Sequence, residues 1–102
     1  YPMDVWERIA EKLGTLPLGE PGTRSFVRLL LAGAADVEVD SQGRILVPEY
    51  LRTYAGVKKS VVVAGLYDRV EIWDEERWNA YRNEAEASSE ETAKKLGELG
   101  LY

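Results

Sequence analysis

The sequence predicts an α+β fold, with four short strands in the middle of the chain and helices at both ends. Two hairpin-like stretches and the helical spacing around them carry this reading. Val37 and Val39 alternate with Asp36, Glu38 and Asp40, and Arg44-Ile45-Leu46-Val47 resumes after Ser41-Gln42-Gly43. That is the period of two, interrupted by turn chemistry, of a half-buried hairpin. Ser60–Ala64 and Arg69–Trp73 repeat the arrangement around Gly65-Leu66-Tyr67-Asp68. On either side, apolar residues recur three and four apart, as on one face of a helix.

Taken in order, residues 4–13 form a helix with Val5, Ile9 and Leu13 on one face and Trp6 and Ala10 beside it. Asp4 is the expected N-cap, with Glu7 completing a capping box and Gly14 ending the helix. Thr15 to Gly22, rich in Pro and Gly, is a connector. A second helix covers Thr23 to Leu31. Phe26, Val27, Leu29, Leu30 and Leu31 make it apolar on more than one side, which marks it as buried or at an interface. In the first hairpin Gly43 is free to take positive φ. Arg44 leaves that turn at its tip, where it either meets a phosphate or base edge or pairs with Asp40 across the turn. Pro48 ends the strand and opens a short helix to Tyr54, with Leu51, Tyr54 and Ala55 toward a core and Arg52 toward solvent. Gly56 suits the left-handed position that stops a helix.

Lys58-Lys59-Ser60 is a polar link, read either as solvated surface or as a phosphate contact. Val61-Val62-Val63 is apolar on both faces and hence central, whereas Val70 and Ile72 face one side and Glu71 the other. Asp74 caps the last helix, and Ser88-Ser89-Glu90-Glu91 reads as a fresh cap that breaks it in two. Leu96, Leu99, Leu101 and Tyr102 leave an apolar tail suited to docking on a neighbour.

At 102 residues and 45% hydrophobic, the chain is one domain or less with a modest core. It has no cysteine and no histidine, which removes thiolate chemistry and the commonest general base and metal ligand. No Ser-His, Cys-His or phosphate-cradling motif is present, so neither an enzyme, a cofactor nor a metal is expected. Asp68, Glu71, Asp74, Glu75 and Glu76 lie at a turn and a helix start without ligand spacing, and read as caps and dipole partners. Trp6, Trp73, Trp78 and Tyr81 read as packing rather than as base-stacking platforms. No apolar run approaches the roughly 20 residues of a membrane span, and residues 1–13 are charged, unlike a signal peptide. A soluble protein without a membrane partner is expected. Net charge is −5. Residues 1–60 balance at eight cations and eight anions, and the acidic excess lies in residues 61–102. A neutral half with a few clustered cations can touch phosphate while the acidic half points away.

Asp40-x-x-Gly43-Arg44-Ile45-x-x-Pro48, followed by Leu51-Arg52, resembles the SpoVT/AbrB family of swapped-hairpin DNA-binding domains. Ala34 to Asp40, Tyr54-Ala55-Gly56-Val57, Val70-Glu71-Ile72-Trp73 and Trp78 narrow the resemblance to the second half of the MraZ family of bacterial transcriptional regulators. This resemblance implies half of an AbrB-like swapped-hairpin β-barrel. It also implies a cytoplasmic, nucleoid-associated, ring-forming regulator acting on the promoter of the division and cell-wall gene cluster. Arg44 and Arg52 match the family's DNA-contacting arginines, and Arg52, Lys58 and Lys59 would act through phosphate. Thr53 and Val37 stand where AbrB relatives carry further cations. A single copy should therefore bind promoter DNA weakly, with avidity supplied by an oligomer. The alternative is a self-association fragment that forms the barrel or ring without binding DNA.

One internal echo bears on assembly. Tyr1 to Ile9 aligns with Trp73 to Tyr81, with Tyr1 on Trp73 and Trp6 on Trp78. The second copy follows two hairpins, whereas the first opens the chain. The expected organisation is therefore a helical segment at 1–33 (the end of a first repeat plus a linker helix), a SpoVT/AbrB-like β domain at 34–73 and a C-terminal helical region at 74–102. Four strands from one repeat leave an unpaired edge, so a second chain is expected to complete the barrel as a homodimer or larger ring.

Overall fold

A computed structural model describes residues 1–101. In order, it contains α1 (Met3–Gly14), α2 (Pro21–Gly33), α3 (Glu49–Ala55), β1 (Val61–Leu66), β2 (Arg69–Asp74), α4 (Glu75–Ala87) and α5 (Ser89–Glu98). Tyr102, the last residue of the expected apolar tail, lies outside the described residues; Leu99 and Leu101 are exposed.

The helices follow the expected spacing, with starts moved by local chemistry. Val5, Trp6, Ile9, Ala10 and Leu13 form the half-buried face of α1. The helix begins before Asp4, because the extended Pro2 (φ −57°, ψ 149°) presents its carbonyl to the Trp6 N–H at 2.9 Å. Asp4 thus lies in the first turn, where it complements the helix dipole and meets Arg8 at 4.0 Å. Likewise α2 starts at Pro21 rather than Thr23, since proline fits the first helical turn, where an N–H would lack a partner anyway. Of the apolar residues on α2, Val27 is buried while Phe26 and Leu29 stand well exposed. In α3, Leu51 and Ala55 take the inner side and Tyr54 falls off its edge into solvent, contrary to expectation. The anchoring aromatic is Tyr50, whose hydroxyl donates to the Gly33 carbonyl that ends α2, at 2.8 Å.

The sheet has two strands, not four. β1 and β2 pair antiparallel with Val62 opposite Trp73, Val63 opposite Ile72 and Ala64 opposite Glu71. The residues around Gly43 form a tight turn: the Asp40 N–H donates to Arg44 O at 2.9 Å and the Gly43 N–H to Asp40 O at 3.0 Å. Beyond it no further backbone bond joins the two arms among the described residues. Val37, Val39, Ile45 and Leu46 on those arms are all exposed. A hairpin with no third strand or helix beneath it gains too little burial to hold its ladder. The closed barrel is therefore not formed within the single chain.

Period-two alternation gives the sheet two different faces. Val62, Ala64, Glu71 and Trp73 are half-buried on the side covered by α4, where Trp73 meets Trp78 edge-on at 5.5 Å and Tyr81 at 4.9 Å. The packing reading of these aromatics therefore describes them well. Val61, Val63, Val70 and Ile72 are exposed on the other side. Val70 and Ile72 of that face border a groove of about 750 Å3 together with Tyr1, Met3, Trp6, Val39 and Ile45.

Bulk dimensions agree with this open construction. The accessible surface is 8713 Å2, whereas a compact monomer of 11.5 kDa has about 5,800 Å2. The radius of gyration is 17.0 Å, against about 13 Å for a compact domain of this length. Among the described residues Val27 is the one buried apolar residue. No described helix is long and apolar enough to cross a membrane.

Candidate nucleic-acid interface

Arg44 stands on a turn built by Asp40. Asp40 Oδ1 accepts from the Gln42 N–H at 2.9 Å and the Arg44 N–H at 2.8 Å, and Gly43 takes φ +80° to close the loop. The second carboxylate oxygen, Oδ2, accepts from Arg44 Nε at 3.1 Å. Both sequence readings of Arg44 are thereby accommodated. Nε is paired with Asp40, while the two terminal nitrogens take no partner among the described residues and the side chain is 71% exposed. A guanidinium gripped at one edge and open at the other is preorganised for a bidentate contact with phosphate or a purine edge. The Arg44 amide bonded to Asp40, followed by the Gln42 amide and the Arg44 side chain, holds the Asp40 carboxyl below its ordinary value of 3.8.

The other expected residues are placed differently. Arg52 is exposed in the last turn of α3. Gly56 at φ +68° stops the helix directly after, with the Gly56 N–H donating to Thr53 O at 3.1 Å and the Val57 N–H to Arg52 O at 3.0 Å. Lys58 and Lys59 are exposed in the linker, but beside acids: they border a cleft with Asp74, Glu75 and Glu76. Lys58 Nζ pairs with Glu76 at 3.6 Å. That pair is solvated and worth little, so it does not prevent Lys58 from reaching a phosphate.

Asp74 is the one buried polar residue among those described. Its carboxylate accepts from the Lys58 N–H at 3.2 Å and, as the expected N-cap of α4, from the Arg77 N–H at 3.3 Å. The Lys58 amide foremost, then the Arg77 amide and the charges of both side chains, hold Asp74 below 3.8. Asp68 and Glu71 are likewise engaged, since Arg69 is held between them at 3.1 Å and 3.5 Å.

With this geometry in place, comparison with known proteins is decisive. A family model described as "MraZ protein, putative antitoxin-like" matches residues 30–98. The chain belongs to the MraZ family. The protein named "Transcriptional regulator MraZ" of Acetivibrio thermocellus is 45% identical over 101 residues, covering 99% of this chain and 71% of the relative. Its namesake in Heliobacterium modesticaldum is 48% identical over the same share of both chains. That of Carboxydothermus hydrogenoformans is 49% identical over 96 residues, 94% of this chain and 67% of the relative. No solved structure gives a significant match.

Within this MraZ-family chain, the two carboxylates give a pH signature. Both have folded-state values below the ordinary 3.8 that applies when unfolded. Their stabilisation is therefore complete above that value and is lost as pH falls through the lower folded values. Thermal melts from neutral pH down to about pH 3 should show Tm falling at the acid end. Asp74→Asn should start from a lower Tm and fall less steeply; a parallel fall would remove Asp74 from the explanation. Sequence reasoning did not find Arg77, whose Nη1 donates to the Ala55 carbonyl at 3.0 Å.

Proposed function

We propose that this chain is a DNA-binding transcriptional regulator that acts, in association with further copies of itself, on the promoter of the division and cell-wall gene cluster. The observation that carries the proposal is the Asp40-braced turn, which offers the open edge of Arg44. The transcriptional-regulator name of the relatives supports it. Arg44 reads base edge or phosphate, Arg52 contacts phosphate, and Lys58 and Lys59 add charge once released from Glu76. Such a protein works in the cytoplasm on the nucleoid. Four cations per copy make a weak site, so tight binding comes from several copies along one duplex. The unfilled sheet face and the excess surface favour that association, and a barrel completed by a second chain is its form.

Fluorescence anisotropy with a labelled duplex of that promoter, titrated against salt, tests the reading. Affinity should fall steeply as salt rises, with a log–log slope near −0.9 for each phosphate neutralised. The second reading, self-association without DNA binding, is favoured by the same open sheet face. It would show as a stable oligomer by light scattering with no salt-dependent anisotropy, and that result would dismiss the regulator assignment for this chain.

A further inference from the structure

Helix α3 carries Arg52 but has seven residues, too few to hold a direction by itself. Its C-terminal end is fixed from outside. Arg77 Nη1 donates to the Ala55 carbonyl at 3.0 Å, one of the orphan acceptors at the end of α3. The guanidinium lies where a Cβ on Gly56 would be, so a side chain at that position would collide with it. The root of Arg77 is itself fixed, because its N–H donates to buried Asp74, whose other oxygen accepts from the Lys58 N–H. The Glu75 N–H donates to Ser60 O at 3.0 Å. Residues 55–60 are thus stitched to residues 74–77.

The arrangement is particular to this end of the chain. In the aligned unit at the N-terminus, Pro2 stands for Asp74 and Val5 for Arg77, and neither can form such a clasp. The equivalent ring pair is nevertheless in contact there, Tyr1 and Trp6 lying tilted at 6.2 Å. Capping of this type is therefore not a requirement of the aromatic-helix unit. It is found where the helix begins next to the segment that ends α3.

We propose that Arg77 is a positioning residue that aims Arg52 at DNA through the Ala55–Gly56 end of α3. The role rests on the reading that Arg52 contacts DNA. Nη1 of Arg77 is held by the Ala55 carbonyl in the acidic half of the chain, so its effect is assigned to α3; a direct phosphate contact would instead appear as an equal loss with and without Arg52.

The test uses the whole chain, a fluorescently labelled promoter duplex at low salt, and four proteins: parent, Arg77→Met, Arg52→Ala and the double variant. Methionine keeps the aliphatic stem and removes the donor. Arg77→Met should weaken binding about tenfold when Arg52 is present and less than about twofold when Arg52 is already alanine. Amide hydrogen exchange without DNA should quicken at Gly56 and Val57 while the β1–β2 amides keep their protection. Equal fold-losses in both backgrounds, or unchanged exchange at Gly56 and Val57, would overturn the positioning role alone. An Arg52→Ala chain that binds as tightly as the parent would instead remove the DNA contact, and the positioning role with it.

Discussion

Val63→Asp should leave the chain monomeric at concentrations where the parent associates. Val63 stands at 64% exposure in the middle of the open sheet face, opposite Ile72 in the register. In the monomer the new carboxylate is hydrated and the hairpin hydrogen bonds are untouched, so the fold should be little affected. In an assembly the same carboxylate is stripped of water among valines and isoleucines, which costs several kcal/mol. About 3 kcal/mol is already two orders of magnitude in a dissociation constant. The surface available for such an assembly is ample: the 8713 Å2 exceeds the compact-monomer value by about 2,900 Å2 per chain, or about 5,800 Å2 over two copies, at the upper end of what obligate interfaces bury. Light scattering across a dilution series, with circular dichroism as the control for folding, decides it. A variant with the mass of its parent would move the association surface to another face, of which α2 with exposed Phe26 and Leu29 is the obvious rival.

Asp40→Ala is the second large effect, and its sign is informative. Removing an anion near a phosphate contact should, by charge alone, strengthen DNA binding. The geometry requires the opposite, because Asp40 bonds the Gln42 and Arg44 amides and the Arg44 side chain. Without it the turn loosens and the guanidinium loses its brace. Arg44→Ala should cost about 1–3 kcal/mol of promoter discrimination, the range for a bidentate base contact. Asp40→Ala should approach that loss, and the double variant should be no worse than Arg44→Ala. Anisotropy against promoter and scrambled duplexes measures both. Tighter binding by Asp40→Ala would show that its carboxylate acts only as a repulsive charge.

The helices were legible because their signals are local. Gly56 and Gly43 take the positive φ expected of them, and Asp74 caps the helix it was expected to cap. The last helix splits at Ser88 as read, but without the expected cap: the Ser88 hydroxyl donates back to the Glu84 and Ala85 carbonyls and leaves the start of α5 uncapped. Two kinds of feature escaped. The arms around Gly43 have strand alternation, yet alternation states which side wants burial and not whether a neighbour exists to bury it. The arms form a turn without a ladder for that reason. The clasp from Arg77 to Ala55 also escaped, since it joins residues 22 apart in sequence through a side chain with no distinguishing local pattern. Of the candidate contacts, the bond between Asp40 and Arg44 was anticipated from their spacing. The acidic surroundings of Lys58 depend on where β2 delivers Asp74, Glu75 and Glu76.

The aromatic pairs have an optical consequence. Trp73 and Trp78, edge-on at 5.5 Å, couple their excited states, whereas Trp6 has a phenol for company and borders the groove beside the open sheet face. Covering that groove dries the surroundings of Trp6 and shifts its emission to the blue, while the coupled indoles behind the sheet hold a steady exciton signal. The molecule thus carries both a gauge and its internal standard, readable in the ultraviolet with no label attached.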